Sequence, residues 1–230
     1  LEQDSVARLV REVLLGDPSL YKCLEMGIIN YSRVATRLKP VVSKLIGRDV
    51  SEESIKMALI RLRSRMEEKT FFPSKGVLKI LAESRIEVRT GVVIVIVGAG
   101  RFQDAMSAVA KISSKARFLA VMQSGPVTTI VLDDESAREL IRALGEEGII
   151  EVQEDHAAIV VVSPPEVMWI PGVVAYITSV LAQNGVNIVH IESCYTDTVI
   201  VVSKKDLLKA FNILVKHNEL ARALLEKSTR

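Results

Sequence analysis

Apolar positions along this chain fall into two regimes. Over the first seventy residues they recur every three or four positions, the period of a helix buried on one face. Asp4 is placed to cap a first helix through about Leu15, and Gly16 ends it. Asp17-Pro18 opens a second, since proline is tolerated at the first helical position, and Gly27 closes it. Asn30 caps a third over 31–38, which Pro40 breaks or restarts, with Gly47 as a further stop. Ser51 then caps a longer helix to about Lys69, with Glu52 and Glu53 in its first turn. Ile55, Leu59, Leu62 and Met66 form its core stripe; Met57, Ile60 and Ser64 lie opposite, so partial exposure of Met57 and Ile60 would suit a second packing surface.

After the hinge-like Phe71-Phe72-Pro73-Ser74-Lys75-Gly76 the pattern changes to β-branched runs. Residues 92–97 read as a buried central strand, followed by a Gly98-Ala99-Gly100 turn and a helix over 102–113. Strands over 117–123 and 127–132 join around Ser124-Gly125-Pro126; Asp134 then caps a helix through Leu144, and a strand over 149–152 follows. The order is β-α-β-β-α-β, a ferredoxin-like unit. It then repeats: a strand over 157–162, a loop over 164–172, a helix over 173–183, strands over 186–194 and 198–203, and a helix over 206–217. At an offset of about seventy residues Val121 meets Ile191, Ile141 meets Phe211 and Leu144 meets Leu214, apolar positions coinciding without identity, as in a diverged duplication. The second unit lacks a clear fourth strand, and its tail over 219–227 reads as more helix. The expected fold class is α+β: a helical domain over 1–72, a linker over 73–84, and ferredoxin-like (βαββαβ) units over 85–155 and 156–230, the second with a C-terminal helical extension.

The loop and strand of the second unit carry a resemblance. Pro171-Gly172-Val173-Val174 opens a helix, and Gly185-Val186-Asn187-Ile188 opens the next strand. In this order they resemble ACT domains, and the tandem resembles the regulatory tail of aspartokinases over roughly residues 85–217. The resemblance implies a small effector, an amino acid, bound where units meet. It carries over Ile170, Pro171, Gly172 and Val173 as the loop and Asn187 and Ile188 as the strand contribution. Gly98, Gly100 and Arg101 are their counterparts in the first unit by position, with Arg101 as a partner for a ligand carboxylate. It also implies pairing of subunits, as a homodimer or higher oligomer. No kinase segment precedes the pair in this sequence, so the expectation is a non-enzymatic regulator.

Composition narrows the alternatives. The chain is 49% hydrophobic and 25% charged, enough to bury a core, while aromatics at 4% argue against a nucleic-acid stacking surface. Cys23 and Cys194 form no CxxC pair, which suits a reducing compartment, and no leader is recognisable, so a cytoplasmic location is expected. His156, His190 and His217 fall in no ligand spacing, so no metal and no cofactor are expected. The uncharged stretch 167–191 is broken by Pro171-Gly172 and by Gln183, Asn184, Gly185 and Asn187; it reads as buried core, not a membrane span.

Rival motifs fail on specifics. Gly98-Ala99-Gly100 lacks the third small residue of a dinucleotide loop, where Gln103 stands, and the acid after the next strand. Asp133, Asp134 and Glu135 suit a helix start better than acid–base chemistry, and Cys194 reads as a packed residue. Residues 1–75 carry 14 Lys and Arg against 10 acids, a modest basic surplus. The third and fourth helices resemble a helix-turn-helix layout, and Lys56, Arg61, Arg63 and Arg65 are its candidate DNA contacts. Two readings of this region stay open: a DNA-binding regulator whose ACT-like pair mainly dimerises, or a module that contacts protein, as in a regulatory subunit of a separate metabolic enzyme.

Overall fold

A computed structural model describes residues 2–66, 73–145 and 147–227. They belong to two compact units, Leu1–Phe72 and Pro73–Arg230.

The first unit holds α1 (Glu2–Leu15), α2 (Pro18–Glu25), α3 (Tyr31–Ile46) and α4 (Glu52–Ser64). Three of the expected caps form: the Leu20 amide donates to Asp17 at 3.0 Å, that of Arg33 to Asn30 at 3.0 Å, and that of Ser54 to Ser51 at 3.2 Å. Val10, Leu14, Leu24, Ala35, Val42, Ile55 and Leu59 make the core. Met57 and Ile60 stay partly exposed, as their place opposite the stripe implies. Two details differ from the sequence reading. Helix α1 begins at Glu2, ahead of Asp4. Helix α3 runs unbroken through Pro40, because Pro40 and Thr36, whose carbonyl loses its amide partner, both lie on the exposed side while Leu38 and Val42 hold the helix to the core. The expected extension of α4 over 67–69 lies outside the described residues.

The second unit begins with α5 (Lys75–Glu83), within what the sequence suggested was a linker. Ser74 caps it by accepting from the Val77 amide at 3.3 Å, and Val77, Leu78, Ile80 and Leu81 are buried. The hinge-like composition before it masked this helical spacing. The rest follows as β1 (Arg85–Gly98), α6 (Phe102–Ile112), β2 (Leu119–Ser124), β3 (Val127–Asp133), α7 (Asp134–Leu144), β4 (Ile149–Val162), α8 (Val173–Gln183), β5 (Ile188–Cys194), β6 (Asp197–Ser203) and α9 (Leu207–Lys227). Helix α9 merges the expected 206–217 helix and its tail.

The strands form one antiparallel sheet in the order β2-β3-β1-β4-β6-β5. Its two central strands are shared. Residues 92–98 of β1 pair with β3, and 94–97 pair with the first half of β4, giving the first ferredoxin-like unit. Residues 157–162 of β4 pair with β6 on one side and with 85–90 of β1 on the other. The missing fourth strand of the second unit is therefore 85–90, which lies upstream of the first unit's opening strand. The two units interlock, so boundaries at 85–155 and 156–230 cut through both. Alternation of Ile86 and Val88 with Arg85, Glu87 and Arg89 is the signal for this strand.

Bulges separate the two halves of each long strand. Thr90 is opposite Ala157 but Val92 is opposite His156, so Gly91, at φ +66°, is the extra residue in β1; Asp155, at φ +59°, is its counterpart in β4. One inserted residue changes which parity faces the helices. Ile86 packs under α5, α8 and α9, whereas Val93, Val95 and Val97 pack under α6 and α7. Without the bulge one half of β1 would turn its polar side inward.

Asp133, rather than the expected Asp134, is the cap of α7. Burial raises the pKa of this carboxyl, but hydrogen bonds from the amide and hydroxyl of Ser136 and the amides of Arg117 and Phe118 outweigh it and hold the group below its ordinary value. Cys194, expected to be packed, is exposed, because it ends the edge strand β5 beside the turn into β6.

Candidate functional site

Loop length distinguishes the two units. Between β1 and α6 stand three residues, whereas ten separate β4 from α8. The longer loop is held at its start: the Ser163 amide donates to the Thr196 carbonyl at 2.8 Å, and its hydroxyl bonds that of Ser84 at 3.0 Å. A 3-10 turn, Pro165–Trp169, follows, and Ile170 turns inward. A Cβ on Gly76 would stand 3.2 Å from Ile170, so α5 seats the loop from below.

Gly172 takes φ +102°, a left-handed conformation that costs a side-chain-bearing residue energy. It occupies the cap position of α8 and has no side chain with which to cap it. The first-turn amides of Val173, Val174 and Ala175 lack carbonyl partners within the helix, as at any helix start. Helix α8 itself is fixed by Val173, Tyr176, Ile177, Val180 and Leu181, all buried. The Tyr176 hydroxyl lies 2.6 Å from Nδ1 of His217 on α9, their rings edge to face. Burial raises the Tyr176 pKa; burial, then the charge of Lys216, lowers that of His217.

A cleft of about 350 Å³ opens beside this helix start. Ile170, Gly172, Val173, Val174 and Ala175 line it with Val167 and Met168, and Ser193 and Tyr195 close the other side. None of these side chains is charged. Polar recognition would come from backbone amides and two hydroxyls, with apolar walls between, a setting suited to a small carboxylate-bearing ligand. Trp169, next in the loop, is 79% exposed.

The expected residues do not all converge here. Ile170, Gly172 and Val173 line the cleft, and Pro171 lies between them. Asn187 and Ile188 do not: α8 carries the chain back along the sheet, so β5 starts at the far end and returns only at Ser193. Alternation and chain direction together were the available signal for Ser193 and Tyr195, and the sequence reading passed over both. In the first unit, Gly98 donates to the Gly148 carbonyl at 3.1 Å and Gly100 has open space around it. Arg101 is not offered to a ligand. It binds Asp104 at 2.8 Å and the Leu144 carbonyl at 2.9 Å, and also donates to the Glu147 carbonyl, closing the end of α7. The stretch 167–191, expected to be buried core, leaves Met168, Trp169, Val174 and Val189 exposed around the cleft and the β5 edge.

In the helical unit, Lys56 pairs with Glu53 at 3.3 Å, Arg63 lies against Gly27, and Arg61 and Arg65 share a cleft with residues of α1. The four proposed DNA contacts thus do not form one surface. Among the described residues no group of three or more His, Cys, Asp or Glu gathers for a metal, and no helix is long and apolar enough to cross a membrane.

Residues 151–216 match the family model of the ACT domain. In fold, the chain is similar to aspartate kinase from Synechocystis, at 15% identity and a TM-score of 0.51, over 74% of this chain and 31% of that one. It is also similar to the regulatory subunit of aspartate kinase from Thermus thermophilus, at 16% identity and a TM-score of 0.48, over 57% of this chain and 95% of that one. A third structure, aspartate kinase from Clostridium acetobutylicum, has 15% identity and a TM-score of 0.48, with 57% of this chain covered. This chain spans about a third of the two aspartate kinases, 31% and 33%. No curated protein matches it in sequence.

Proposed function

On the premise that residues 151–216 form an ACT domain, we propose that this protein is a non-catalytic regulator that binds a free amino acid beside Gly172. The observation that carries this reading is the uncapped start of α8, opening on an uncharged cleft of amino-acid size. The ligand carboxylate takes the amides of Val173, Val174 and Ala175. Its ammonium faces the Ser193 and Tyr195 hydroxyls, and its side chain lies against Met168 and Val174.

Strands β2 and β5 are the two edges of the sheet, and an unpaired edge is a template for another strand. A homodimer joined along β5 would cover that edge. It would also bring the exposed Asn187, with Ile188, to the site of a second copy, the role the resemblance assigns them. Ligand binding would then favour one arrangement of the pair, which requires different affinity for the two arrangements. Residues 1–72 are the output module of a cytoplasmic sensor.

Titration of the full chain with each of the twenty amino acids tests this through Trp169 fluorescence and melting temperature. One or a few should give a saturable change in both. Ala175→Phe, at an exposed position of α8 that lines the cleft, should abolish the response without unfolding the chain. A flat response to all twenty would reduce the tandem to a pairing device.

A further inference from the structure

Strand β5 is a sheet edge whose side chains are ordered to meet a copy of themselves. Its hairpin with β6 closes at the pair Cys194 and Asp197. From there antiparallel pairs alternate between those that exchange hydrogen bonds and those that do not. Glu192 and His190 therefore spend their backbone groups on Val199 and Val201, while Ile191 and Ser193 turn theirs to the free edge. Val189 is an extra residue at the step from Val201 to Val202 and stands 37% exposed. His190 and Glu192 flank Ile191 on one face of the strand, the face that carries Val199 and Val201. Among the described residues neither makes an ion pair or a hydrogen bond. Nε2 of His190 is buried without a partner, so Nδ1 is the nitrogen through which it can meet one.

A second copy can add to this edge antiparallel about a twofold axis, provided the edge backbone groups match. That leaves few places for the axis. Centred on His190 or on Glu192, it sets that residue against its own copy, and two carboxylates face to face repel. Centred on Ser193, it sets Glu192 against Cys194 and carries His190 past the end of the strand. Centred on Ile191, it lets the two Ile191 residues exchange hydrogen bonds and sets His190 against Glu192 of the second copy, twice over. Opposed side chains of such a pair start about 4.5–5.5 Å apart, and an imidazole N–H donates to a carboxylate in either charge state. We propose that β5 recognises a second copy of this chain in this register, His190 of each copy meeting Glu192 of the other. This rests on the pairing along β5 put forward above and adds the residues that select it. Val189 then falls opposite Ser193 of the second copy, a residue of its Gly172 cleft, so each copy gives the other's cleft an apolar wall. The bulge and the polar pair keep unmatched strands from adding to β5. The other edge, β2, carries no charged side chain from Leu119 to Ser124 and has no such selectivity.

Sedimentation equilibrium of the full chain provides the test. A dimer is expected, loosened about tenfold or more by His190→Glu and by Glu192→Lys, since each replaces two attractive contacts with repulsive or unpaired ones. The double variant His190→Glu/Glu192→Lys exchanges the partners and should restore the dimer. Mixing the two single variants should likewise give a heterodimer tighter than either variant alone. If a reversal disturbs folding by circular dichroism, His190→Gln and Glu192→Gln take its place, and each should loosen the dimer to a lesser degree. A dimer indifferent to all of these variants would overturn the proposal while leaving the chain dimeric through another register or face. Loosening by the single variants without rescue by the double one would also overturn it, because only the register centred on Ile191 opposes these two positions. A chain that stays monomeric at about 100 μM would remove the β5 pairing itself, while leaving the amino-acid titration to be judged on its own result.

Discussion

His217 shows how one side chain couples packing to pH. Burial beside Tyr176, and secondarily Lys216, lowers its folded-state pKa below the unfolded value near 6.5. The imidazole is then neutral in the native protein and takes its proton first in the unfolded chain. The stability linked to this group is full above about pH 6.5 and falls as pH drops from there toward the folded pKa. Urea midpoints between pH 8 and pH 5 should decline over that window, and His217→Gln should flatten the decline; an unchanged slope would detach His217 from the effect. At the same scale, Gly172 was legible as a loop residue from Pro171-Gly172 before an apolar helix. Ser193 and Tyr195 were not, because their closeness to Gly172 depends on a chain that leaves the loop, crosses the sheet and returns.

At the level of elements, the helix starts were legible because a cap is a local device: Asp17, Asn30 and Ser51 each accept from an amide three residues on. Helix α5 was missed, although Val77, Leu78, Ile80 and Leu81 have helical spacing, because Pro73 and Gly76 gave a hinge-like composition. Its attachment is also non-local. Asn218 on α9, 8% exposed, donates to the Leu81 carbonyl at 2.5 Å and the Ser84 carbonyl at 2.9 Å, closing the end of α5. Asn218→Leu would remove both bonds, taking this donor from the Ser84 carbonyl and leaving the Leu81 carbonyl only the Ser84 amide at 3.2 Å, at a cost of about 1–3 kcal/mol. Chemical denaturation should show that loss, with hydrogen exchange rising first at Leu81 to Arg85; protection unchanged over that stretch would remove Asn218 from this role.

For the whole molecule, the shared β1 and β4 strands set what can be separated. A fragment of residues 73–230 keeps α5, both long strands and all six strands of the sheet, and should unfold cooperatively on heating. A fragment starting at residue 92 loses strand 85–90 and α5, exposing apolar surface on β4 and α9. Each of the four buried α5 side chains contributes about 1.5–3 kcal/mol by burial, so that fragment should lack a cooperative transition. Cooperative melting of 92–230 would mean the two ferredoxin-like units stand without the interlock. The sequence by itself determined the α+β class, the change of regime near residue 72, and the β-α-β-β-α order of each unit. These follow from residue period and from caps and turns that act over a few positions. Only the tertiary structure decided that 85–90 completes the second unit, that Arg101 closes α7, and that Ser193 and Tyr195 close the cleft at Gly172. Each joins residues far apart in the chain, and their proximity is set by strand register and helix packing, which no local pattern encodes.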